Sequence, residues 1–113
     1  KVLAMHDDAQ LPALLGGTFD LIVDDGGHQG DVVRRSFDLL WPSVRPGGYY
    51  VVEDWAVSLR AADRPGETWG QPWGPGMLQA VQSFLTLLDY PDSECESVTY
   101  RYGLAIVKKR AAA

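Results

Sequence analysis

Phe19-Asp20-Leu21-Ile22-Val23-Asp24-Asp25-Gly26-Gly27-His28 is the stretch on which the fold turns. Its apolar run suits a strand buried on both faces, and it ends abruptly in two carboxylates, two glycines and an imidazole. Tyr49-Tyr50-Val51-Val52 repeats that pattern and runs into Glu53-Asp54-Trp55. Val2 to Met5 is a weaker third strand, leading into His6-Asp7-Asp8. Further on, Ser97 to Tyr102 alternates, Gly103 breaks the pattern and Leu104 to Val107 resumes it, as in an antiparallel hairpin closed by a tight turn.

Helical periods lie between these strands. Val33, Phe37, Leu40, Trp41 and Val44 mark one apolar helix face, with Asp31 as its N-cap and Pro42 dividing its end. Met77, Leu78, Val81, Phe84, Leu85 and Leu88 repeat the spacing and predict a second helix over about Gly76 to Asp89. A shorter helix covers Ala9 to Leu15 and stops at Gly16-Gly17. The order β-α-β-α-β-loop-α-β-β predicts an α/β fold: a mostly parallel sheet with right-handed crossovers, covered on both faces, and a C-terminal antiparallel hairpin.

The chain has 113 residues, 46% hydrophobic and 22% charged, which describes one soluble domain over residues 1–113. Fibres, disordered tails and membrane spans are excluded as classes. Ten basic against fifteen acidic residues give a net charge of −5, with no basic cluster beyond Lys108, Lys109 and Arg110, so nucleic acid is not the expected partner. Cys95 stands alone, on the loop expected before the hairpin, and has no basic neighbour to activate it. With no secretory pattern at Lys1 to His6, the expected compartment is the cytoplasm. Trp55 to Pro75 fits neither period and carries Trp55, Trp69 and Trp73, which predicts a loop folded over a pocket or a partner surface.

In an open parallel sheet, ligands bind beyond the carboxyl ends of the strands. Three such ends here carry acids, and neighbouring strands would let Asp25 and Asp54 converge. Carboxylates gathered in this way call for a hard cation, Mg²⁺ before others. His28, on the turn after Asp25, is placed as a base for a hydroxyl. Taken singly, each acid also reads as a solvated strand end or a turn former, and His6 reads as a partly exposed strand-end residue.

Phe19 to His28, followed by Ser36-Phe37-Asp38-Leu39-Leu40-Trp41-Pro42 and by Arg45-Pro46-Gly47-Gly48-Tyr49-Tyr50-Val51-Val52-Glu53-Asp54, resembles a known family. It is similar to the macrocin and rhamnosyl O-methyltransferases, which include proteins named cephalosporin hydroxylases, among the class I S-adenosylmethionine-dependent methyltransferases. The resemblance implies a Rossmann-like sheet, with Asp25, Glu53 and Asp54 as Mg²⁺ ligands and His28 as general base. It sets Asp7 and Asp8 near the adenine of S-adenosylmethionine and Asp24 beside its methionine part. The implied reaction methylates a hydroxyl of a sugar or polyketide-type natural product.

The family's G-x-G-x-G cofactor turn has no counterpart, since the one Gly-x-Gly, Gly74-Pro75-Gly76, follows no strand. The elements match family strands three to seven, a carboxyl-terminal half lacking the first two strands. In the family order 3-2-1-4-5-7-6 this leaves Val2 to Met5 without a sheet neighbour. A complementing N-terminal half or a second copy of the chain is the corresponding partner. Two other functions compete: an inactive methyltransferase remnant serving as an interaction module, and a small hydrolase using the same acids and His28 on water.

Overall fold

The computed structural model describes residues 2–5, 10–25, 30–53 and 77–112. Five strands form one sheet: β1 (Val2–Met5), β2 (Phe19–Asp24), β3 (Val44–Glu53), β4 (Cys95–Arg101) and β5 (Leu104–Lys109), in the order β1-β2-β3-β5-β4. β1, β2 and β3 are parallel, while β5 runs antiparallel to both β3 and β4. The mostly parallel sheet with its terminal hairpin is the expected α/β architecture. Gly103, at φ 76°, supplies the left-handed residue that the hairpin turn requires.

One expectation is overturned. β1 is not left without a neighbour, because it pairs with β2 from Val2↔Leu21 to Met5↔Asp24. The two strands the family order puts between them are absent from this sheet, and the backbone groups of β1 and β2 satisfy one another directly. Leu3 and Met5 join the core that Ile22 and Tyr50 build.

Helix α1 (Leu11–Leu14) is shorter than the expected Ala9 to Leu15. α2 (Gly30–Leu40) is followed by a 3₁₀ turn at Trp41–Ser43, so Pro42 divides the helix end as expected, and Asp31 is the second residue of the helix rather than the one before it. Val33, Phe37, Leu40, Trp41 and Val44 are all buried. The second long helix is the larger departure: α3 (Met77–Gln82) gives way to a 3₁₀ segment over Ser83–Asp89. With three residues per turn, Val81, Phe84 and Leu87 stack on one inward line, and Leu85 and Leu88 turn to solvent at about half exposure.

α2 and the α3 segment cover the same face of the sheet. Phe37 meets Tyr50 edge to face at 5.0 Å and Phe84 at 4.7 Å, and the Tyr100 hydroxyl donates to the Val81 carbonyl. Arg34 bridges the two helical segments by donating to Ser83 while its guanidinium lies over the Phe37 and Phe84 rings. On the opposite face Leu21, Val23, Val51, Leu104 and Ile106 are half-buried and Tyr49 is exposed, so among the described residues cover is complete on one face only. Strands added successively in one direction by crossovers of one hand place their helices on one side.

Candidate active site at the carboxyl ends of the strands

The carboxyl ends of β1, β2 and β3 lie along one edge, and their register settles which acids meet there. Met5, Asp24 and Val52 stand side by side in the last full row. The Asp25 amide donates to the Met5 carbonyl at 2.8 Å, which carries the ladder one residue past β2. Extended by one residue beyond Asp24↔Val52, the β2–β3 register sets Asp25 opposite Glu53, on strands roughly 4.8 Å apart. Side chains in one row share a face, so this register assigns the two half-buried residues to one side of the edge.

Asp24 points the other way. It is 2% exposed, on the helix-covered side, and accepts a hydrogen bond at Oδ2 from the Tyr50 hydroxyl at 3.2 Å. Strand alternation thus splits the Asp24-Asp25 pair between the two sides of the sheet edge. Gly48 helps to set this register: a Cβ there would lie 2.5 Å from the Asp20 carbonyl oxygen, so only glycine lets β3 approach β2 so closely at its start.

Of the expected site residues, the structure brings Asp25 and Glu53 into one row and places Asp24 behind them. Asp7, Asp8, His28 and Asp54 lie outside the described residues, as do His6 and the Trp55 to Pro75 loop. Among the described residues no group of three or more His, Cys, Asp or Glu side chains gathers as a metal site. Tyr50 was legible only as a core residue. Its one sequence signal is a phenol within an apolar buried strand, where a hydroxyl demands a partner.

Cys95 is no part of this edge. It is the first residue of β4 rather than a loop residue, opposite Lys109 at the far end of the sheet. Burial pushes its thiol pKa up, which agrees with an inert cysteine.

Comparison with known proteins agrees with this fold. Residues 1–55 match the family described as a methyltransferase domain. Demethylmacrocin O-methyltransferase of Streptomyces fradiae is 58% identical over 38 residues, covering 34% of this chain and 10% of that protein. The 8-demethyl-8-alpha-L-rhamnosyl tetracenomycin-C 2'-O-methyltransferase of Streptomyces olivaceus is 31% identical over 105 residues, covering 84% of this chain and 28% of that protein. The solved structure of the MycE methyltransferase from the mycinamycin biosynthetic pathway, in complex with Mg, SAH and mycinamycin VI, superimposes with a TM-score of 0.64. That match has 28% sequence identity and covers 92% of this chain and 28% of the MycE chain.

A parallel sheet with an antiparallel terminal hairpin, acids at its carboxyl edge and these likenesses together define a class I methyltransferase sheet. Within that class the chain belongs with the macrocin and rhamnosyl O-methyltransferases. It spans between 10% and 28% of the length of these relatives.

Proposed function

We propose that this chain is part of an Mg²⁺-dependent O-methyltransferase that moves a methyl group from S-adenosylmethionine to a hydroxyl of a sugar or polyketide-type natural product. The observation that carries this reading is Asp25 set beside Glu53 at the ends of neighbouring parallel strands. Their donor atoms are all carboxylate oxygens, the chemistry a hard divalent cation takes, so the residues fit Mg²⁺, with Asp54 as the third ligand. Further support comes from relatives named as methyltransferases of glycosylated natural products, and from the MycE complex with Mg and SAH.

When bound, Mg²⁺ makes an acceptor hydroxyl easier to deprotonate and S-adenosylmethionine supplies an electrophilic methyl group. His28 follows Asp25 by three residues and takes the hydroxyl proton, a task for which a neutral imidazole is suited near neutral pH. With the hydroxyl proton held on His28, the acceptor oxygen would take up the methyl group that the donor supplies, and S-adenosylhomocysteine would leave. Asp7 and Asp8, which follow β1 in the sequence, would hold the adenine of the donor, and Asp24 would hold its methionine part. Holding donor and acceptor in line supplies most of the acceleration. A second copy or a complementing upstream half completes the donor site, and the compartment is the cytoplasm. No helix among the described residues is long and apolar enough to cross a membrane.

Calorimetric titration with Mg²⁺ tests the reading. Asp25→Asn and Glu53→Gln should each weaken Mg²⁺ binding by more than about tenfold, as loss of a direct ligand does. Glu96→Gln, remote from this edge and paired with Lys108, should leave it unchanged. Equal Mg²⁺ affinity in all three variants and the unsubstituted protein would refute the assignment.

A further inference from the structure

We infer that Tyr50 is a positioning residue that acts on the methyl donor through Asp24; this rests on the methyltransferase reading above. Tyr50 is fully buried, and its ring stands edge-on to Phe37, at an interplanar angle of 82°. Ile22 is its register partner on β2, and two residues further along each strand, on the same face, lie Val52 and Asp24. The phenol oxygen therefore spans one repeat of the sheet to reach Asp24 Oδ2 at 3.2 Å.

A phenylalanine would fill the same space against Phe37. The hydroxyl adds little to packing, and a buried hydroxyl is costly without a partner, so its role lies in the bond it donates. Alternation puts Asp24 on the helix-covered side of the edge and Asp25 on the other, and the bond from Tyr50 orients the Asp24 carboxylate on its side. The charge suited to a cationic sulfonium or ammonium group is thereby kept apart from the carboxylates suited to a metal ion. Without the Tyr50 hydroxyl, the Asp24 carboxylate would lose one of the bonds that orient it at this edge, and its alignment toward the donor would loosen.

A double-mutant cycle reads this directly, in the protein expressed at the full length of its open reading frame, with S-adenosylhomocysteine and Mg²⁺ as calorimetric probes. Tyr50→Phe should weaken S-adenosylhomocysteine binding about fivefold, the loss of one hydrogen bond. It should leave Mg²⁺ affinity and the far-ultraviolet spectrum unchanged, which a merely structural role for the hydroxyl would not separate. In an Asp24→Asn background the same change should add nothing. The inference is overturned if Tyr50→Phe leaves S-adenosylhomocysteine binding intact, or weakens it by the same factor with and without Asp24. An unsubstituted protein that binds Mg²⁺ but no S-adenosylhomocysteine would instead remove the methyltransferase reading, and this inference with it.

Discussion

Among the described residues two charged side chains are buried, Asp24 and Lys109, and they sit at opposite ends of one sheet. Lys109 closes β5 at the end where β3 begins. Its ammonium donates to the Trp41 and Val44 carbonyls, both at 2.9 Å, and lies 4.9 Å from the Trp41 ring centroid. Trp41 opens the 3₁₀ turn after α2 and its carbonyl also accepts from the Val44 amide, while Val44 opens β3. These partners of Lys109 are scaffold. Asp24, by contrast, is at the edge where ligands of parallel sheets bind, held by a hydroxyl that packing does not require. Equal burial thus covers two settings: Lys109 is held by backbone carbonyls, and Asp24 lies at the carboxyl edge with the Tyr50 hydroxyl on its Oδ2.

Phe37→Ala should break both ends of this comparison at once and carries the largest expected loss, about 4 kcal/mol in urea unfolding. The ring contacts Trp41, Tyr50 and Phe84, and its removal would loosen the frame under Lys109 as well as under Asp24. Lys109→Met should cost about 2 kcal/mol at neutral pH, because two buried carbonyls lose a charged donor. It should leave Mg²⁺ affinity untouched, unlike Asp25→Asn.

A pH series sharpens the same contrast. Burial lowers the Lys109 pKa below its ordinary 10.5, so the unfolded chain holds this proton more tightly than the folded one. The resulting cost to stability is present in full below the folded value and fades as pH rises toward 10.5. The urea midpoint of the unsubstituted protein should therefore gain on that of Lys109→Met as pH rises through the alkaline range toward 10.5. A constant difference across that range would show that burial costs the ammonium nothing. The smallest effects belong to Leu85→Ser and Leu88→Ser, expected within about 0.5 kcal/mol because both side chains face solvent. A large loss from either would contradict the 3₁₀ register.

Much of this molecule was legible because its signals are local. The apolar runs ending at Asp24 and Val52, the break at Gly103 and the spacing of Val33, Phe37 and Leu40 each depend on neighbours a few residues away. They predicted the strands, the hairpin and α2, and they put acids at strand ends. The second helix failed on the same ground. Apolar residues at positions 84, 85, 87 and 88 suit either helical period, and contact with Phe37 and the Val81 line selected the tighter one. Cys95 was misplaced because a strand start beside a buried lysine carries no pattern of its own.

Residue chemistry along the chain was enough to establish a mostly parallel sheet with carboxylates at the carboxyl ends of its strands. Register and packing decided the rest. Direct pairing of β1 with β2 closes a gap that strand order alone leaves open, because unpaired backbone groups find partners wherever the sheet allows. The opposite directions of Asp24 and Asp25 follow from the two-residue period of a strand, yet which of them is buried was set by the face on which α2 and the α3 segment lie. The tie from Tyr50 to Asp24 joins residues 26 positions apart. It exists only once β2 and β3 are aligned side by side, which no reading of either segment alone contains.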